Sequence, residues 1–232
     1  MKKTHTSRAI RSLFLAPLAA ALALTSCKKE DTASPIAPAA VTFQLRATNP
    51  SVVTGRVEGG TLTWTGARAE ASMIKFEAKK AGAEIELKSN VQRSLDLFAP
   101  VPSIGSIAIP AGSYDEVEFV AYLAPASGNP ALELTGTFSN NGVSTPVTFR
   151  ASEAIQLKGE KHNVVISDTA GYDAITALNL SLASAGLTSA SLSGAVRTGN
   201  TILISSSVNA GLYATIVNNL RNLHDEAEFH HH

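Results

Sequence analysis

The sequence predicts a mainly β protein, an antiparallel β-sandwich carrying a small C-terminal helical segment. Three observations predict it. Apolar and polar residues alternate with period two through much of 41–167. Clusters of Gly, Pro, Asn and Ser interrupt that alternation at short intervals. No amphipathic helix pattern stands between the strands to carry a parallel crossover.

The strands follow in order. Val41–Ala47 and Thr61–Thr65 open the series. Ile74, Phe76 and Ala78 then alternate with Lys75, Glu77 and Lys79, and Ile85 and Leu87 with Glu84, Glu86 and Lys88. Ala81-Gly82-Ala83 separates the two runs, so Met73–Leu87 reads as a hairpin. Val91, Leu95 and Leu97 continue the pattern, but Arg93 would share their inward face. Either it lies at a sheet end or the register breaks there. Ser106–Ile109, Tyr114–Leu123, Ala131–Phe138, Thr145–Arg150, Ala154–Leu157 and Asn163–Ser167 complete the set. About ten short strands at this spacing describe a sandwich or barrel, here over 41–167.

From 168 to 232 the composition shifts toward Leu, Ala, Ser and Asn. Ile175, Leu178 and Leu182 predict a helix over Asp173–Ala185, with Asp173 as its N-cap. Thr188–Val196 is a shorter helical candidate, and Thr201–Ser205 a brief edge strand. A third helix runs from Asn209 to Leu223, with Leu212, Ile216 and Leu220 on one face. Such short pieces need the sandwich, or one another, to bury their apolar faces.

The N-terminus reads as an export signal over 1–26. Lys2, Lys3, Arg8 and Arg11 precede an apolar stretch from Leu13 to Leu24, broken only by Pro17. That stretch is shorter than the ~20 residues a bilayer span needs and suits a cleaved leader. It ends at Cys27, the only cysteine, so no intrachain disulfide can form. Leu24-Thr25-Ser26-Cys27 resembles the lipobox of bacterial lipoproteins. The resemblance implies a diacylglycerol thioether on Cys27 and cleavage before it, with Leu24, Thr25 and Ser26 read by the signal peptidase. Lys29, Glu30 and Asp31 resemble the surface-export signal of some outer-membrane lipoproteins. The stretch 27–40, with TASPIAPAA after Asp31, is an extended spacer. "IPAGSYDEVEF" (Ile109–Phe119) resembles an element of uncharacterised bacterial surface lipoproteins with a prealbumin-like β-sandwich.

Charge and motifs bound the function. Four of the nineteen basic residues lie in the leader, which leaves fifteen against nineteen acids. That balance argues against nucleic acid as a partner. No G-x-S-x-G, H-E-x-x-H, phosphate-cradling loop or EF-hand occurs, so neither an enzyme nor a cofactor is expected. The tail "NLHDEAEFHHH" is the strongest metal candidate: on a helix His224 and Glu228 would lie one turn apart, followed by His230, His231 and His232. A solvated tail is the plainer reading. Glu116 and Glu118 share a strand face that could hold calcium, or simply be solvated. Trp64, Tyr114 and Tyr122 could form a sugar-stacking platform, and His162 reads as an exposed turn residue. Thr32 and Thr169, each in an Asp-Thr-Ala triplet, resemble O-glycosylation acceptors of envelope proteins. The expectation is a surface lipoprotein attached to the outer membrane by its lipid, a non-catalytic module that binds a glycan or an envelope protein. The alternatives are an envelope enzyme or metal-dependent factor using the tail, and a polymerising surface subunit.

Overall fold

A computed structural model describes residues 37–53 and 60–232. In chain order the elements are β1 (Ala39–Thr48), β2 (Ser51–Val53), β3 (Thr61–Lys80), β4 (Ala83–Asp96), β5 (Ser103–Ile109), β6 (Gly112–Leu123), β7 (Leu132–Asn140), β8 (Val143–Ala151) and β9 (Ile155–Ile166). Then come β10 (Tyr172–Asn179), α1 (Leu180–Ala183), α2 (Ser189–Ser193), β11 (Arg197–Thr198), β12 (Thr201–Ile204), α3 (Ala210–Arg221), β13 (His224–Glu226) and β14 (Glu228–His231). The molecule is mainly β, as expected. Among the described residues no helix is long and apolar enough to cross a membrane.

Two sheets form the sandwich. The smaller runs β14-β10-β1-β5. The larger runs β11-β12-β8-β7-β3-β6-β9-β13, with β2 and β4 also paired to β3. The sheets are mixed rather than purely antiparallel: β1 pairs in parallel with β10, β8 with β12 and β9 with β13. Each parallel partner comes from the segment after 168. A strand that returns from far along the chain can enter in either direction, so no intervening helical crossover is required.

β3 organises the larger sheet. Arg68 and Ala69 pair with both β4 and β7, whereas Ala71 to Lys79 pair with both β4 and β6. β7 and β6 therefore share the edge of β3 that faces away from β4, one along each half. Two register shifts make this possible. One extra β3 residue lies between Trp64 and Gly66 opposite β7, and another between Ala71 and Met73 opposite β6. Each reverses which residues point inward. The buried set passes from Leu62 and Trp64 to Ala67, Ala69 and Ala71, then to Ile74, Phe76 and Ala78. The hairpin to β4 turns at Ala81 and Gly82, both at positive φ (49° and 81°), as a tight two-residue turn requires. The register also breaks near Arg93: Ala71 pairs with Arg93 but Met73 with Asn90. Arg93 is consequently exposed and donates to the Ser103 carbonyl at 3.1 Å.

Aromatic contacts join the layers. Phe43 of β1 meets Phe119 of β6 edge-on with centroids 5.1 Å apart. Phe119 also touches Phe76 and stacks with Phe229 at 5.8 Å, and Phe229 stacks with Tyr172 at 4.9 Å. Each such pair contributes ~0.5–1.5 kcal/mol beyond its area burial. Trp64 is 2% exposed, and its indole N–H donates to the Ser184 hydroxyl at 2.9 Å. Tyr114 is 1% exposed and donates to the Pro110 carbonyl. Neither ring is open to a sugar, which removes the stacking platform that they could have formed with Tyr122.

The segment after 168 departs most from expectation. Asp173–Ala185 is not one helix. It is strand β10 followed by the single turn α1. Tyr172, Ala174, Thr176 and Leu178 are buried at period two on a strand that lies beside its parallel partner β1. Pairing with β1 satisfies the backbone and overrides the apolar spacing that suggested a helix. Asn179, not Asp173, caps α1 by accepting from the Leu182 N–H. α2 is shorter than expected, with a Thr188–Ser191 capping box. α3 forms as expected and buries Tyr213, Ile216, Val217 and Leu220. Asn209 precedes it without capping it; its side chain instead bonds Val196 N, Val196 O and Leu203 O.

The C-terminus is strand, not helix or frayed tail. β13 lies beside β9 in the larger sheet and β14 beside β10 in the smaller one. Ala227 makes the crossing; it is 1% exposed and its N–H donates to Glu160 O at 2.8 Å. The last residues thus tie the two sheets together.

Candidate binding face

β4, β3, β6 and β9 lie side by side, and their residues opposite the core form a surface of charged rows. Pairing sets the rows. Lys88, Lys75 and Lys158 occupy the first, with Val120 between the last two. Glu86, Glu77, Glu118 and Glu160 fill the second, each directly opposite the next. Glu226 of β13 extends that row by pairing with Glu160. Glu84, Lys79, Glu116 and His162 make the third. The sequence produces this because every second residue of "IKFEAK", "EIELK", "EVEF" and "KGEKH" is polar. Four unrelated alternations then meet in register.

Like charges directly opposite one another destabilise a sheet. Ion pairs between and within rows offset part of the cost. Lys75 reaches Glu77 at 2.6 Å, Lys88 Glu86 at 2.7 Å, Lys158 Glu118 at 3.0 Å and Lys79 Glu116 at 3.0 Å. The hydrogen bond that Lys79 donates to Glu116 raises the Lys79 pKa above its ordinary value. Burial pulls the Lys75 ammonium down, but hydrogen bonds to Glu77 and Tyr122 outweigh it, so its pKa is raised. Lys161 hydrogen-bonds Glu226 and holds that carboxyl below its usual range. Glu160 differs. Its ion-pair partner among the described residues is His162, at 2.8 Å, and not a lysine or arginine. A groove of about 250 Å³ opens beside these residues, lined by Glu77, Lys79, Glu84, Glu86, Glu116 and Glu118 among others.

Glu116, Glu160 and His162 come closest to a ligand set. Their donor atoms lie within 4.8 Å of one another, the one such group of three among the described residues. Glu116 and Glu118 share a face, as the strand reading requires. The contribution of β9 was missed. Glu160 and His162 are two apart on a strand and so share a face, a signal present in "GEKH" once those residues are assigned to a strand.

The other expected residues fall elsewhere. His224 and Glu228 stand on different strands in different sheets, so the one-turn helical spacing does not form. Glu228 instead pairs with Arg46 of β1, and its second oxygen lies 3.3 Å from His230 Nε2. His232 is 3.9 Å from Asp173, while His231 sits 6.4 Å from the Tyr172 ring. All three terminal histidines are exposed. Thr169 is exposed on the turn between β9 and β10, with Ser167 Oγ 2.8 Å from its hydroxyl. Leu24, Thr25, Ser26, Cys27, Lys29, Glu30, Asp31 and Thr32 lie outside the described residues.

The class these features define is a mainly β sandwich with a charge-banded sheet face. No protein-family model matches the chain, and no solved structure matches it significantly. Among curated proteins it is similar to a UPF0312 protein of Pseudomonas putida strain GB-1, 28% identical over 121 residues, or 52% of this chain and 56% of that one. A UPF0312 protein of strain W619 is similar to the same extent. The chain thus spans about half the length of the curated relatives it matches, and their names state no activity, substrate or partner.

Proposed function

We propose that the chain is a lipid-tethered, non-catalytic binding module of the cell envelope, carried on the outer-membrane surface by Cys27. The observation that carries this reading is the sole cysteine, placed at the end of a basic and then apolar leader, directly after Leu24-Thr25-Ser26. Lys29, Glu30 and Asp31 support outward display. β1 begins at Ala39, so the intervening chain, if extended, reaches roughly 30 Å and lifts the sandwich clear of the headgroups. Two or three acyl chains make such an anchor stable, at ~0.8 kcal/mol per buried methylene.

The banded face is the surface through which the module meets its partner. Its groove is lined mainly by glutamates, which favours a ligand presenting lysine or arginine groups, as an envelope protein does, over a neutral glycan. The test is fractionation of cells producing the wild-type chain or Cys27→Ser. Wild type pellets with membranes and is removed by protease added to intact cells, whereas Cys27→Ser is recovered in soluble form. Equal membrane retention of both chains would sink the reading.

A further inference from the structure

We propose that Glu116, Glu160 and His162 form a binding site for a divalent transition cation, with zinc as the reference metal. The inference goes beyond the tethered-module reading and stands independently of it. Glu116 and His162 are paired directly across β6 and β9, and Glu160 lies two residues from His162 on the same face. Two hydrogen-bonded strands therefore fix three ligand positions without help from a loop. The donor atoms already lie within 4.8 Å of one another, so small side-chain rotations bring them around one ion. Two carboxylates and one imidazole match the borderline-soft chemistry of zinc, and three protein ligands leave a position open to solvent or a partner.

The surrounding charges favour a cation here. Glu160 faces Glu118 on one side and Glu226 on the other. Glu77, Glu86, Glu116 and Glu118 each hold a lysine, whereas among the described residues the ion-pair partner of Glu160 is His162. A bound divalent ion would supply the missing positive charge. Lys79, 3.0 Å from Glu116 Oε2, competes for one carboxylate oxygen, so its removal should strengthen the site.

Calorimetric titration of the full chain with zinc tests this, using a background in which His224, His230, His231 and His232 are all alanine. That background removes the tail histidines as a rival site. One saturable site should remain, weakened at least tenfold by His162→Ala or Glu160→Gln and tightened by Lys79→Ala. His162 and Glu160 are on the solvent face, and unchanged circular dichroism will show that the variants fold. The visible absorption of bound cobalt(II) gives a second readout and should lose its nitrogen-ligand signature in His162→Ala. Absence of saturable binding in the tail-free background, or binding that His162→Ala leaves unchanged, would overturn the proposal.

Discussion

Gly136 of β7 faces Trp64 at the first register shift of β3. A Cβ there would lie 2.4 Å from the Thr63 carbonyl oxygen and 3.0 Å from Trp64 Cα. Both are backbone atoms of the longest strand and cannot move aside cheaply. Gly136→Ala should therefore cost about 1–3 kcal/mol, read as a lower urea midpoint with an unchanged slope; a cost below ~0.5 kcal/mol would show the approach to be slack. Residue-level legibility was uneven. The Ala81-Gly82 turn and the break at Arg93 follow from local chemistry and period counting. Trp64 is ambiguous in the sequence because a tryptophan in a polar-looking run suits a ligand platform as well as a core. What decides is its contact with Ser184, 120 positions away, which no local pattern encodes.

β14 shows the same limit at the scale of elements. Three terminal histidines and scattered acids look solvated, yet Phe229 packs between Phe119 and Tyr172 and the backbone pairs with β10. Phe229→Ala should cost about 2–3 kcal/mol, less than the ~3–5 of a wholly buried phenylalanine because the ring is only half-buried. No change in the thermal midpoint would mean the tail is not docked. β13 is tied down differently, through Lys161 and Glu226. The Glu226 pKa is lowered in the fold, so its contribution is complete above its ordinary value of 4.5 and disappears as pH falls through the lowered one. The stability gap between wild type and Glu226→Gln should be small near neutrality and close as the pH falls well below 4.5. A gap that widens toward acid would contradict the pairing. Strand β3 explains why element boundaries were hard to see. Its two shifts reverse the inward face twice, and its middle stretch, "GARAEASM", buries alanines and Glu70 but no large apolar side chain. Period counting finds its ends and loses the centre.

For the whole molecule, the sandwich was legible because alternation and turn spacing are local. The mixed sheets were not, because parallel partners are chosen by long-range pairing, as β10 beside β1 illustrates. The candidate face lay between these cases. Each glutamate was visible as the polar half of an alternation, but their alignment into one row depends on the registers of four strands. Its imidazole, on His162, was dismissed as a turn residue until β9 placed it opposite Glu116. The proposed tether rests on chemistry at a single sulfur. The most direct test is mass spectrometry of the N-terminal peptide from protein purified out of its native membrane. The account predicts a chain that begins at Cys27 and carries a diacylglycerol thioether. A free Cys27 thiol, or a mature terminus at any other residue, would contradict it.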